Sequence, residues 1–400
     1  LTCLLGLAAP APAAAPKPID LTGEWKYQPY DGLGGIDMAS PSVDDASWPT
    51  MTLPTSWYLM GSKSYPPKAR AAARLIEPGS PGDLPPPPKD VGFDYEGTVW
   101  FRKTIAWDGG TPGVAVLDLD MVDYYAEVFV NGASVGKHEG YFQRWSVDVS
   151  STLRKGKNLI AVKVSAPALV FDLAQQFPVS WPKQQNQIKG IFAYHDTRPG
   201  ATSIRGQERG TGGILRGVAL RLSSGVDLVE VKVTPMDVSD ASARLVVEAV
   251  TRNWGRKTVD AQLTGTIRAK NFAWSGHLPI AFDVKAAPGL SRSVGEVKID
   301  KPALWWSWDY GKPNLYTLEA ALGVKAAAEP RAKAKAPVAA SSLDEKTVTF
   351  GVRSIKRDDQ WVVRLNGQRI YARGSNYIST QWLSQADRAF YERDMKLVVG

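Results

Sequence analysis

The sequence predicts a mainly β protein: two antiparallel β-sandwiches in series, followed by the first strand–helix portion of a parallel barrel. Three observations carry this expectation. Short runs with period-two alternation, such as Trp100–Trp107 and Asn158–Ala166, fill most of the chain between Gly, Pro and Asn-Gly turns. Helical periodicity is nearly absent over the same stretch. The last fifty residues then change character, with a hairpin around Asn366-Gly367, a strand running into Arg373-Gly374 and one amphipathic helix.

From Asp20 to about residue 223 the strands are short and turn-punctuated. The alternating run Trp100–Trp107 is followed by Val114–Met121 and Tyr124–Val130, then by Asn131-Gly132, a strong two-residue hairpin signal. Asn158–Ala166 is a further alternating strand after the turn at Lys155-Gly156-Lys157. This pattern predicts a jelly-roll sandwich over 19–224. The stretch from Pro167 to Gly213 has no clear period and is rich in Gln, Gly and Pro. Its Phe171, Phe177, Trp181, Phe192 and Tyr194 argue for an ordered functional loop. A second set of strands between Val226 and Ile355 predicts an immunoglobulin-like sandwich over 225–355, without the antibody-type cysteine pair. An Ala/Lys/Pro-rich solvated loop near 329–337 interrupts it. Residues 356–400 form the third unit. Ser384 is the expected N-cap of its helix, with Asp387 as capping-box partner, and Ala386, Phe390, Met395 and Val398 mark an apolar face.

Composition narrows the function classes. The 400 residues are a prior for two or three domains, and 44% hydrophobic residues suffice for real cores. The formal charge of +8 is scattered, with no basic stripe of interleaved aromatics, so nucleic acid is excluded as a partner. The 14 tryptophans serve packing or stacking on sugar rings, and Trp305, Trp306 and Trp308 are read as packing between domains. The single cysteine, Cys3, lies in a short apolar run before an Ala/Pro segment that resembles the remnant of a signal peptide over 1–18, cleaved after Ala13. That places the mature chain in a secreted or periplasmic compartment. The apolar run is too short to span a membrane. The alternative is a plain Ala/Pro leader.

Several motifs in order resemble those of glycoside hydrolase family 2, the β-galactosidases, β-glucuronidases, β-mannosidases and exo-β-glucosaminidases. They are Leu21–Trp25; Asp44–Trp48 with Leu53-Pro54; Gly97–Lys103; Val130–Gly132 through Val135-Gly136, His138, Gly140-Tyr141 and Asp148-Val149; Gly212–Val218; Leu304–Trp306 with Gly311–Pro313 and Leu315–Leu318; and Phe350–Arg353, Leu365–Gly367 and Arg373–Tyr377. The resemblance covers nearly the whole chain. It implies a galactose-binding-like jelly roll, an immunoglobulin-like sandwich and the start of a (β/α)8 catalytic barrel. A complete barrel takes about 250 residues, so the barrel is expected to be incomplete here. Two departures, at Gly190–Gly200 and at Gln381, weigh against the specific label of β-mannosidase.

The resemblance also implies retaining hydrolysis of a β-linked oligosaccharide or polysaccharide from its end, by two carboxyl groups about 5–5.5 Å apart. In the family both lie on later barrel strands, so no catalytic residue is expected within these 400, and the chain alone is expected to be inactive. The candidate substrate-binding residues are Tyr194, His195, Asp196 and Arg198 in the long loop, and Asn376, Tyr377 and Trp382 after the first barrel strand, the face on which barrel enzymes build their sites. Asp196 and Arg198 read equally as a loop-holding ion pair, and Trp382 as loop packing. Glu139 is read as a rim residue. The three histidines, His138, His195 and His277, are too dispersed for a metal site, and the two-carboxylate mechanism needs no cofactor. A non-catalytic carbohydrate-binding sandwich protein is the rival reading. The sequence leaves the sugar, the linkage and the oligomeric state open.

Overall fold

A computed structural model of the chain describes residues 18–30, 37–57, 98–109, 113–140, 142–165, 212–325, 342–374, 377 and 384–399. These are mainly β and fall into two compact units. One takes the strands from Ile19 to Leu222, with Tyr377 and 384–399. The other runs from Ser223 to residue 374.

The first unit is built from β1 (Ile19–Asp20), β2 (Gly23–Tyr30), β3 (Thr50–Leu53), β4 (Thr55–Ser56), β5 (Thr98–Trp107), β6 (Val114–Leu119), β7 (Val122–Asp123), β8 (Tyr125–Val130), β9 (Ala133–Glu139), β10 (Trp145–Asp148), β11 (Gly156–Ser165), β12 (Gly213–Ile214) and β13 (Val218–Ser223). They form sheets ordered β1-β13-β6-β10 and β3-β2-β5-β11-β8-β9, with a short sheet β4-β12-β7. Period-two alternation puts Val99, Phe101 and Ile105 of β5, Ile160, Val162 and Val164 of β11, and Val128 of β8 into one core with Leu117, Leu119, Val147 and Leu220 of the opposing sheet. Val162 lies opposite both Phe101 and Val128, at the centre of the six-stranded sheet.

The other face of that sheet is buried too. Trp100 and Ala161 pack there against Ala39, with Met38, Trp48 and Phe129 around them. Residues 37–48 cover this face, and Arg102 holds them down. Its guanidinium, 3% exposed, donates to Asp45 Oδ2 at 2.8 Å and to the carbonyls of Met38, Ser40 and Val43, and it lies 5.3 Å from the Trp48 ring centroid. A planar fork of donors suits several acceptors at once.

The turn Asn131-Gly132 has φ of 51° and 88°, the paired left-handed conformation of a two-residue hairpin. The Asn131 side chain also joins this hairpin to β11, accepting from Leu159 N–H and donating to Asn158 Oδ1. At the sandwich exit the double glycine is dictated by space. A Cβ on Gly212 would sit 1.9 Å from the Trp57 ring, and one on Gly213 (φ 147°) would sit 2.4 Å from the Thr55 carbonyl oxygen.

The second unit contains β14 (Val226–Met236), β15 (Ser242–Asn253), β16 (Val259–Ala269), β17 (Leu278–Ala286), β18 (Gly289–Asp300), β19 (Tyr316–Val324) and β20 (Ser342–Phe350), followed by β21 (Ile355–Arg357), β22 (Val363–Leu365) and β23 (Gln368–Arg369). Sheets β14-β15-β18 and β17-β16-β19-β20 enclose an immunoglobulin-like core that includes Val231, Leu245, Val247, Leu263, Ile267, Leu318 and Leu322. Tyr316 is its aromatic centre, stacked on Phe350 and met edge-on by Phe272. Its hydroxyl accepts from Ala303 N–H at 2.8 Å. Strand β14 is an edge of its sheet, with a bulge between Leu228 and Glu230, and Asp344 at the start of β20 accepts its Leu228 N–H at 2.7 Å. Burial pushes the Asp344 carboxyl above the usual aspartate range, and nearby Asp227 adds to the effect.

Three expectations change. Trp305 and Trp306 are half-buried within the second unit, Trp305 under the Arg353 guanidinium and Trp306 packed among the unit's core residues, but Trp308 is 82% exposed. Residues 371–374, where a strand is expected to run into Arg373-Gly374, pair with no strand among the described residues. A barrel strand needs parallel neighbours, and among the described residues the sole parallel pairing is an isolated bridge, Asn253–Pro288. The helix, α1 (Arg388–Val399), begins later than Ser384, as described below.

Arg102→Ala is expected to lower stability by about 2–4 kcal/mol, since it strips the Asp45 carboxylate and the Met38 and Val43 carbonyls of a charged donor and leaves Ser40 only its bond from Val43 N–H. Arg102→Lys should recover only a minor part, because a point charge cannot serve four acceptors; thermal melts check both. Asp344 gives a pH signature. Its folded-state pKa lies above the ordinary value of about 3.9, so the folded chain gains stability as pH falls through that raised value towards the ordinary one. Asp344→Asn should abolish this gain, so that the melting temperature of the variant relative to the parent is higher at pH 7 than at pH 4.

Candidate functional site

Of the residues predicted to contact sugar, Tyr377 is described. Tyr194, His195, Asp196, Arg198, Asn376 and Trp382 lie outside the described residues.

Tyr377 is half exposed, and its hydroxyl donates to Asp394 Oδ2 on α1. Its ring stands 6.4 Å from that of Tyr391, tilted by 55°. Asp394 also accepts from the Arg393 guanidinium at 2.8 Å. The Tyr377 hydroxyl and, after it, Arg393 hold the Asp394 carboxyl below its usual range. The cluster therefore presents an aromatic face beside an ionised carboxylate and a guanidinium. Such a set can stack on the C–H face of a pyranose and hydrogen-bond its hydroxyls. Among the described residues it contains no second carboxyl paired for acid–base work.

The helix that carries this cluster starts from Asp387. Phe390 N–H donates to Asp387 Oδ1 at 2.8 Å, the N-cap to N3 bond. Ser384 is the expected cap, but its buried hydroxyl has no hydrogen-bond partner among the described residues. The sequence holds two cap-type residues three apart, and the spacing of the apolar positions alone could not choose between them. Arg388 and Glu392 add an i,i+4 ion pair. Of the expected apolar face, Ala386 is buried just before the helix, Phe390 is half-buried, and Met395 and Val398 are exposed together with Leu397. Arg216, in the segment after β12, donates to the Ala386 carbonyl. Nothing in the residue pattern signals this link, which joins positions 170 apart.

Glu139 ends β9 and accepts from the Tyr124 hydroxyl at 3.1 Å, a rim position as expected. Burial is the main reason the Tyr124 phenol is pushed up to about 12, with Glu139 adding to it. Beside it, His138 stacks on Trp145 at 5.4 Å, and burial lowers its pKa. Its Nε2 is buried without a hydrogen-bond partner among the described residues. His277 is exposed in the second unit. Among the described residues no group of three His, Cys, Asp or Glu side chains could hold a metal ion. No described helix is long and apolar enough to cross a membrane.

Comparison with known proteins places the chain. A family model described as glycosyl hydrolase 2 galactose-binding domain-like matches residues 91–200. A second, glycosyl hydrolases family 2, matches 226–353. An exo-β-D-glucosaminidase of Streptomyces avermitilis is 25% identical over 363 residues, covering 86% of this chain and 35% of the relative. A mannosylglycoprotein endo-β-mannosidase of Lilium longiflorum is 26% identical over 326 residues, covering 77% and 32%. The solved structure of Bacteroides uniformis β-glucuronidase 2 superposes with a TM-score of 0.64 at 20% identity, covering 96% of this chain and 38% of that one. An exo-chitosanase of Amycolatopsis orientalis gives 0.63 at the same identity, covering 96% and 40%. At that identity the superpositions establish the fold. The chain spans about a third of the length of the curated relatives it matches.

Removing the true cap should loosen α1 and removing the false one should not. Asp387→Ala is expected to weaken the first turn by about 1 kcal/mol, seen as faster deuterium uptake over 388–392. Ser384→Ala, which deletes a buried hydroxyl without a partner, should be neutral or slightly stabilising.

Proposed function

The chain belongs to glycoside hydrolase family 2, and from that premise we propose that it is the N-terminal part of a retaining, exo-acting β-glycosidase. The observation that carries this reading is the order of the two family matches, a galactose-binding-like domain over 91–200 and a family 2 domain over 226–353. Relatives named as glycosidases of several sugar specificities align along both. The catalytic carboxyls are assigned to residues beyond position 400, on a (β/α)8 barrel of which 356–400 is the beginning. They would stand about 5–5.5 Å apart, one as nucleophile and one as acid and then base. No metal or organic cofactor enters that chemistry.

This chain's part is to scaffold and to supply sugar contacts near the barrel mouth. Tyr377 is the described candidate, through its ring and the Asp394–Arg393 pair beside it. Asn376 and Trp382, and the loop residues Tyr194, His195, Asp196 and Arg198, complete the proposed set. The substrate class is the end of a β-linked oligosaccharide or polysaccharide, met in a secreted or periplasmic compartment.

The test is turnover of aryl β-mannoside, β-glucosaminide, β-galactoside and β-glucuronide by this chain and by the longer product of its reading frame. The 400-residue chain should turn over none of them. The longer product should cleave at least one, and proton NMR should show the first-formed anomer with retained configuration. Inversion, or no turnover by the longer product while the 400-residue chain binds sugar, would replace this reading with that of a carbohydrate-binding sandwich.

A further inference from the structure

The segment around α1 is fastened to the first unit at a point that the sugar-contact reading does not use. Arg216 sits where the backbone has little freedom. Leu215, fully buried, donates its N–H to the Met121 carbonyl at 2.8 Å, and the Gly217 carbonyl accepts from Asp120 N–H at 3.0 Å. A Cβ on Gly217 would approach Asp120 Oδ2 to 3.0 Å. Residue 216 is thus held on both sides, and its guanidinium reaches the carbonyl of Ala386. Ala386 is 1% exposed and immediately precedes the N-cap Asp387. Its carbonyl lies outside the helix ladder, so a buried acceptor there needs a partner from elsewhere. A charged donor is a strong one.

The same helix holds Tyr377 through Asp394, and Tyr391 stands beside the Tyr377 ring. A continuous path therefore runs from Arg216 to the Ala386 carbonyl, through α1, to Asp394 and the Tyr377 hydroxyl. Beyond Ala386, the described side chains of α1 are half-buried or exposed. The helix has little apolar burial of its own to fix its position.

We infer that Arg216 is a positioning residue for Tyr377: by binding the Ala386 carbonyl it sets where α1 starts, and α1 in turn sets the Tyr377 side chain. The consequence for sugar binding rests on the proposed function above, but the mechanical link does not, and the two can fail separately.

Deuterium uptake of the 400-residue chain tests the link, with the amides of β8 and β11 as an internal reference in the same molecule. Arg216→Ala should speed exchange over 388–399 by about tenfold or more while β8 and β11 stay unchanged. Arg216→Lys, which still offers a cationic donor, should restore much of the protection. Helix exchange unaffected by Arg216→Ala would overturn the inference. So would parallel loosening of β8 and β11, which would make Arg216 a determinant of the sandwich alone. If Arg216→Ala does not fold, Arg216→Met, which keeps the stem and removes the donors, carries the same comparison, and failure of both to fold also overturns it.

Discussion

The first unit depends on burying both faces of one sheet, and Arg102 makes the second face possible. Strands β5 and β11 carry apolar residues on alternate positions towards the main core and a further set, Trp100 and Ala161, towards the outside. Left to water, that outer set would be an exposed aromatic patch of the kind that promotes association. Residues 37–48 cover it, but an irregular cover brings carbonyls with no ladder to join. Arg102 resolves both requirements together. It stands on β5 directly opposite Ala161, so its stem packs on the sheet while its guanidinium collects the Asp45 carboxylate and three loop carbonyls. A buried cation is costly unless paired and fully bonded; here each branch of the fork has an acceptor.

The second unit meets a comparable problem at its seam. Strand β14 is an edge of its sheet, and β20 supplies Asp344 to accept its Leu228 N–H. The same region holds Asp227, bonded by Ser223 and by the Trp254 indole N–H. Burial, with the neighbouring Asp227 charge adding to it, explains why the Asp344 carboxyl sits high even though it accepts backbone N–H bonds, which alone would lower it.

Most of the β architecture was legible because it rests on local rules. The alternation of Trp100–Trp107 and Asn158–Ser165 became the pairing of β5 with β11. Both Asn-Gly pairs adopt the left-handed turn that their residue types favour, with φ of 51° and 88° at Asn131-Gly132 and 49° and 84° at Asn366-Gly367. What stayed hidden depends on partners far along the chain or on close competitors. The N-cap fell to Asp387 over Ser384 by a shift of three positions. Trp308 was read as packed with its two neighbours, yet backbone turns at Tyr310 and Gly311 send only Trp305 and Trp306 inward. The strand expected at Arg373-Gly374 needs parallel neighbours, which no local pattern can guarantee. Of the site, the sequence pointed to Tyr377, but its tie to Asp394 spans 17 residues and the tie of the helix to Arg216 spans ten times as many.

The net charge of +8 takes on a different meaning in this light. Several of the cations responsible are engaged with backbone oxygen more than with external anions. Lys26 donates to the carbonyls of Ala46 and Trp48, on the same covering segment that Arg102 holds. Lys103, next to Arg102 on the opposite face of β5, donates to those of Thr22 and Glu24. Arg216 does the same for Ala386. A fold built from short strands joined by long covering segments has many carbonyls outside its ladders. Long cationic side chains can reach them from the sheet while packing their stems on it. Through such contacts these cations satisfy backbone acceptors and hold the irregular segments in place.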